Sequence, residues 1–386
     1  MHSPAAEFRF RDDGKFNILA IGDVHERVCC NDDKTKDAMR LLKRASELRP
    51  DLAIFMGDIV SGFCEEENRM ATKEELYEVL VKVSAPFTDK NIPFAVVFGN
   101  HDGQTGEGKP VLFELLKKIP HFVGSDESGA AGCGNCNVLI KSSDGKKDKF
   151  NIFLIDSGDS TLDGSGYAWV EDSQIEWYES VGNELKEKNG GNMVPALVFQ
   201  HIPVCEEYDL LKETSILNPY RVKGQAEYRG KYYVKGKNCK GYLGEGPCVP
   251  AKNNGQFASW KKQGDVIAAF FGHDHLNDFV GEVDGITLGQ MKCSGFHMYG
   301  DGLHQGVRMI TLYENGDKKF DTKMIYYRDF FGTECRTIKG YDLLTDRWHT
   351  NFKVTLAVTG ALAALTAAGT AIKFAKGRKK RKDKSR

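Results

Sequence analysis

Seven residues of metal-ligating type stand just after the ends of short apolar runs. Asp23 and His25 follow Phe16–Ile21, Asp58 follows Leu52–Met56, and Asn100, with His101 and Asp102 beside it, follows Phe94–Phe98. His201 follows Ala196–Phe199, and His273 and His275 follow Val266–Phe271. The seven supply two carboxylates, four imidazoles and one amide oxygen, a mixed set that suits Zn²⁺, Mn²⁺ or Fe. One carboxylate can bridge two such ions at about 3.5–4 Å, and the pair lowers the pKa of water and stabilises charge in an in-line displacement at phosphorus. A single histidine is ordinarily a surface or core residue. Five of the ten here (His25, His101, His201, His273 and His275) follow apolar runs, which favours a common site.

Continuous apolar runs of this length read as strands buried on both faces. Between the early ones lie helical patterns, with Met39, Leu41, Leu42, Ala45 and Leu48 on one face and Leu76, Val79, Leu80 and Val83 on another. Strand and helix in alternation predict a largely parallel or mixed sheet covered by helices. Ligands of such sheets sit at the carboxyl ends of strands, where all five polar clusters fall. Residues 137–141 and 150–155 flank Asp144-Gly145 and predict a hairpin; Asp172 to Lys188 predicts a helix. Residues 205–260, rich in Tyr, Gly, Lys and Asn with little periodicity, read as an insertion over the site. The runs at 279–288, 307–312 and 323–327 predict antiparallel strands closing a second sheet.

Asp23-X-His25, Gly57-Asp58, Gly99-Asn100-His101-Asp102, His201 and Gly272-His273-Asp274-His275 resemble, in order, the five motifs of the calcineurin-like metallophosphoesterases. The resemblance spans roughly residues 16–313. Gly272–Gly281 and Ser294–Gly300 look like the purple-acid-phosphatase-like members. It implies an α/β fold of two packed mixed sheets flanked by helices, a four-layer sandwich. It also implies two divalent metal ions and hydrolysis of a phosphomonoester by metal-activated hydroxide. Asp23, His25 and His275 would hold one ion, Asn100, His201 and His273 the other, and Asp58 would bridge. His101 would act as general acid, with Asp102 orienting it by a hydrogen bond. Arg27, His297 and Tyr299 are candidate pocket residues. Purple acid phosphatases proper carry Asp-X-Gly in the first motif and a Tyr three residues beyond the second motif's Asp. His25 and Ser61 stand at those positions here, so the resemblance implies divalent Mn, Fe or Zn rather than a ferric–tyrosinate centre. Two other readings remain open: a phosphodiesterase acting on cyclic nucleotides, nucleic acid or phospholipid, and a scaffold without catalysis.

Of 386 residues, 41% are hydrophobic and 28% charged, ordinary for one large globular domain plus a tail. The net charge of −1 divides unevenly: residues 376–386 sum to +7 and residues 1–375 to −8. An acidic body argues against a nucleic-acid footprint. The N-terminus lacks an apolar signal segment, and the ten irregularly spaced cysteines read as thiols of a reducing compartment, which predicts a cytoplasmic catalytic domain. Cys133-Gly-Asn-Cys136 has zinc-knuckle spacing without a second pair and reads as a surface loop. Residues 354–372 carry no charge and, as a helix, would reach about 28 Å, close to the hydrocarbon thickness of a bilayer. The expected organisation is therefore an extension at 1–15, a catalytic domain at 16–335, a linker at 336–353, a membrane helix at 354–372 and a basic tail at 373–386. The expected partners are a phosphorylated substrate and a membrane.

Overall fold

The computed structural model describes residues 2–338 and 346–383. The chain opens with an edge strand β1 (Ala6–Arg9), then alternates β2 (Lys15–Ile21), α1 (Asp33–Ser46), β3 (Leu52–Phe55), α2 (Lys73–Thr88) and β4 (Phe94–Val96). α1 and α2 start where the sequence supplies a cap. The Asp32 carboxylate accepts from the Thr35 N–H at α1, and Thr72 and Glu75 form a reciprocal capping box at α2. Leu48 lies past the end of α1 and is exposed, so it is not part of the buried face.

After α3 (Lys109–Leu116) come β5 (Cys136–Lys141), β6 (Asp148–Ile155), α4 (Asp172–Lys188) and β7 (Ala196–Gln200). The 205–260 segment holds a small antiparallel sheet of β8 (Leu211–Thr214), β9 (Val222–Lys223) and β10 (Tyr232–Lys235), followed by α5 (Gln256–Gln263). Then come β11 (Val266–Phe271), β12 (Val280–Val283), β13 (Ile286–Gln290), β14 (Gly306–Tyr313), β15 (Phe320–Tyr326) and α6 (Asp346–Asp383).

Two mixed sheets result. One has the order β15-β14-β2-β3-β4 and the other β1-β5-β6-β7-β11-β13-β12. The late strands do not close one sheet together, as the sequence suggested. The β12–β13 hairpin extends the larger sheet beyond β11, whereas β14 pairs antiparallel with β2. Apolar patterning cannot decide between these edges, because both offer a buried partner.

Alternation along each strand explains the layers. Phe16, Ile18 and Ala20 of β2, Phe150, Ile152 and Leu154 of β6, and Ala268 and Phe270 of β11 point between the sheets. Their neighbours Leu19 and Ile21 pack under α1, α2 and α3, while Phe153, Ile155 and Phe271 pack under α4 and α5. The strands are thus buried on both faces, and each fully buried Phe contributes about 1.5–3 kcal/mol. The fold is a four-layer α/β sandwich, two mixed sheets packed face to face with helices on both outer sides. Cys133 and Cys136 are buried rather than on a surface loop. α6 is longer at both ends than its apolar stretch and runs into the basic tail, while positions 339–345 of the expected linker and 384–386 of the tail lie outside the described residues.

Candidate metal centre

The centre forms where strands from both sheets end. The ladder of the smaller sheet runs on through Met56 N–H to Ile21 O (2.8 Å) and Val97 N–H to Phe55 O (3.0 Å) before the chain turns away. At the turns the backbone enters the left-handed region at Asp23 (φ 28°), His25 (φ 45°), Asp58 (φ 49°) and His273 (φ 70°). Such conformations cost about 1–3 kcal/mol each for residues other than glycine and persist where the surroundings over-determine them. Glycines permit the close approach. A Cβ on Gly57, itself at φ 91°, would lie 2.6 Å from His201 Nδ1, and one on Gly99 would lie 2.2 Å from Asp58 Oδ1.

Asp23, His25 and His275 bring their ligand atoms within 4.8 Å of one another, and so do Asp58, His201 and His273. Asp58 Oδ2 lies between the groups, 3.5 Å from His25 Nε2 and 3.3 Å from His201 Nε2. Asn100 Oδ1 is 3.1 Å from His201 Nε2, and His25 Nε2 is 3.3 Å from His275 Nε2. All seven residues are buried. His201 Nδ1 donates to Met56 O (2.7 Å) and His275 Nδ1 to Tyr299 O (2.8 Å), and a carbonyl can only accept. Both rings therefore aim Nε2 inward, the arrangement that orients histidine ligands. His273 Nε2 is buried with no hydrogen-bond partner among the described residues.

Converging lone pairs and carboxylates need positive charge among them. For His201, burial lowers the pKa, but the Asp58 and Asp23 carboxylates outweigh it and hold it at about 10. His275, likewise opposed by burial, is held at about 9 by Asp23. Burial takes His25 down to about 4 and His273 to about 3, which leaves both rings neutral. Asp58 stays well below the usual carboxylate range because His201 and His25 outweigh its burial. A divalent cation in each group would satisfy several donors at once, where a proton satisfies one or two. The residues present therefore fit a pair of divalent cations.

Of the other expected site residues, His101 is half-buried, and its N–H donates to Asp58 Oδ1 (2.7 Å). Asp102 does not orient the His101 ring. Its carboxylate instead accepts from the N–H groups of Gly99 (2.8 Å), Asp58 (2.9 Å) and Ile59 (3.0 Å), tying the second and third motifs together. Gln104, which the motif does not contain, meets His101 Nδ1 at 2.9 Å. Arg27 is ion-paired with Glu65 (2.6 Å). His297 turns to Thr35 Oγ1 (3.1 Å) and Asp32 (3.6 Å) at the start of α1, so it packs there rather than lining the site. Tyr299 stacks on the His275 ring (4.3 Å, 15°) and its hydroxyl donates to Glu245 (3.1 Å).

Tyr167 was not legible in the sequence, because its loop has no period. Its ring stands edge-on to His273 at 4.2 Å. It also lines a cleft of about 620 Å³ whose far wall includes Gln225, Ala226, Arg229 and Cys248 from the 205–260 segment.

A family model described as calcineurin-like phosphoesterase matches residues 16–277. Among curated proteins, probable inactive purple acid phosphatase 14 of Arabidopsis thaliana is 29% identical over 339 residues, covering 79% of this chain and 77% of that one. The phosphatase DCR2 of Saccharomyces cerevisiae is 26% identical over 292 residues, covering 69% of this chain and 45% of that one. Among solved structures, a dimetal phosphatase from Danio rerio aligns with a TM-score of 0.46 at 14% identity, covering 80% of this chain and 98% of that one.

Proposed function

The chain belongs to the calcineurin-like phosphoesterase family, and we propose that it is a catalytically competent phosphomonoesterase with a dinuclear metal centre. The observation that carries this reading is that all seven donors are present and converge, with the half-buried His101 held by its backbone N–H on Asp58 Oδ1 and its ring 5.1 Å from that of His25. The plant relative's name calls that protein probable inactive. A complete, converging donor set supports activity in this one.

Asp23, His25 and His275 would hold one cation, Asn100, His201 and His273 the other, and Asp58 would be shared by both. The chemistry that a bound pair of divalent cations supplies is activation of water and withdrawal of charge from the phosphoryl oxygens. The chain's own residues do the rest. Asp58 anchors the His101 backbone through Oδ1, which leaves Oδ2 facing the imidazoles. With Nδ1–H directed to the Gln104 amide oxygen, the imidazolium form of His101 has Nε2–H left to deliver a proton to the leaving oxygen and becomes the neutral ring. Tyr167 and Tyr299 pack on the ligand rings and limit their rotation. The cleft beyond Tyr167 has room for a leaving group.

The yeast relative is named a phosphatase, which favours a monoester over a diester. The test is the ratio of kcat/KM on p-nitrophenyl phosphate to that on bis(p-nitrophenyl) phosphate, measured on metal-loaded protein. A ratio above one supports the monoesterase. A ratio below one assigns a phosphodiesterase, and no hydrolysis of either ester overturns the catalytic reading.

The same proposal extends to location, with the catalytic domain in the cytoplasm and the C-terminal helix in a membrane. Thr355–Lys373 is long and apolar enough to cross a bilayer, and none of it is buried against the fold. Clusters of basic residues beside such a helix attract anionic headgroups.

A further inference from the structure

The small sheet of the 205–260 segment differs in charge from the acidic body that carries it. Residues 211–240 hold eight Lys or Arg against Glu213 and Glu227, a net of +6. All eight basic side chains are exposed, and among the described residues only Lys231 is ion-paired, with Glu213. The register sorts the sheet into two faces. Leu211, Val222 and Tyr233 pack inward on Cys205, Tyr208 and Val249. Lys212 stands opposite Val234, and Lys223 and Thr214 opposite Tyr232, on the outer face, where the Arg221 guanidinium lies 5.5 Å from the Tyr232 ring. At the end of this face the connection between β8 and β9 presents Ile216 (54% exposed), Leu217 (86%) and Tyr220 (55%).

We propose that this basic sheet with its aliphatic tip is a docking surface for an anionic phospholipid bilayer. The lysines and Arg221 match the negative headgroup layer, and Ile216, Leu217 and Tyr220 are of the type that enters the interface below it. Against a nucleic-acid backbone the cations alone would serve, and two exposed aliphatic side chains would gain nothing. The surface is distinct from the C-terminal helix, and the inference holds whichever ester the centre cleaves. It has a positional consequence. The loop from β9 to β10 supplies Gln225, Ala226 and Arg229 to the cleft that Tyr167 joins to His273, so docking sets the wall of that cleft beside the headgroups.

Hydrogen–deuterium exchange on the full-length protein tests the proposal segment by segment, which keeps the C-terminal helix from masking the result. Residues 211–223 should exchange more slowly with vesicles of phosphatidylcholine containing about 30% phosphatidylserine than with phosphatidylcholine alone. The exposed-site variants Ile216→Ser/Leu217→Ser and Lys212→Gln/Arg221→Gln/Lys223→Gln should each lose that protection. Unchanged exchange on the anionic vesicles overturns the proposal, as does protection retained in both variants. Equal protection by polyuridylate without lipid also overturns it and assigns a polyanion site instead.

Discussion

Asp58 does two things with its two oxygens, and this division is the source of the sharpest expectations at single residues. Oδ1 holds the His101 N–H, and Oδ2 faces imidazoles of both groups. His101 itself is not among the seven donors. His101→Ala should therefore keep both metals and lower turnover by about 10²–10⁴-fold, the range for one acid–base group. Leaving groups of low pKa should lose least. An equal loss across leaving groups would exclude proton delivery by His101, and the check is a series of substituted phenyl phosphates. Asp102 predicts the opposite pattern. Asp102→Ala strands three buried N–H donors, each worth about 1–3 kcal/mol when left without a partner. Thermal stability and metal occupancy should fall together, with activity recovered in proportion to metal restored. Calorimetry and metal analysis on the same sample decide it.

Elements divide the labour between holding the fold and aiming the donors. The strands were legible because both faces of β2, β3, β6, β7 and β11 are buried, which writes an unbroken apolar run into the sequence. The convergence of the candidate donors was legible because each run ends in a polar cluster with glycine or a strand end behind it. Sheet membership was not: nothing in the apolar pattern of the β12–β13 or β14–β15 hairpin names its neighbour, and only long-range register assigns them to different sheets. The Asp102 role was misread for a related reason. Adjacency to His101 in the chain suggested contact, whereas the left-handed turn at Asp58 presents bare N–H groups that a buried carboxylate satisfies instead. Gln104 ends a three-residue 3-10 turn and Tyr167 comes from a loop, and neither is long enough to carry a period. At this scale α6 makes its own prediction. Removing residues 350–386 should move the protein from the membrane pellet to the supernatant and leave kcat/KM on p-nitrophenyl phosphate unchanged, because every donor precedes residue 276. Fractionation in high salt separates a spanning helix, which stays in the pellet, from a peripheral one, which washes off. Full-length protein found soluble with anionic vesicles present would contradict both forms of attachment.

Across the whole molecule, the candidate metal centre sits at the junction of the two sheets and should act as a clasp between them. Asp23, His25, Asp58 and Asn100 follow strands of the smaller sheet, while His201, His273 and His275 follow strands of the larger one. Ligands that bind only the folded state stabilise it by mass action, about 2.7 kcal/mol at a hundredfold excess over Kd. Unfolding should therefore shift upward by several degrees on loading Mn²⁺, Fe²⁺ or Zn²⁺ and return on chelation, with Asp58→Asn showing a reduced shift. The measurement that bears most directly on the whole account is bound metal per chain against phosphomonoesterase activity, taken on one preparation stripped with chelator and then reloaded. Activity should vanish with the metal and return in full only at two ions per chain. Full activity with one ion or none, or two ions without monoester hydrolysis, would contradict it.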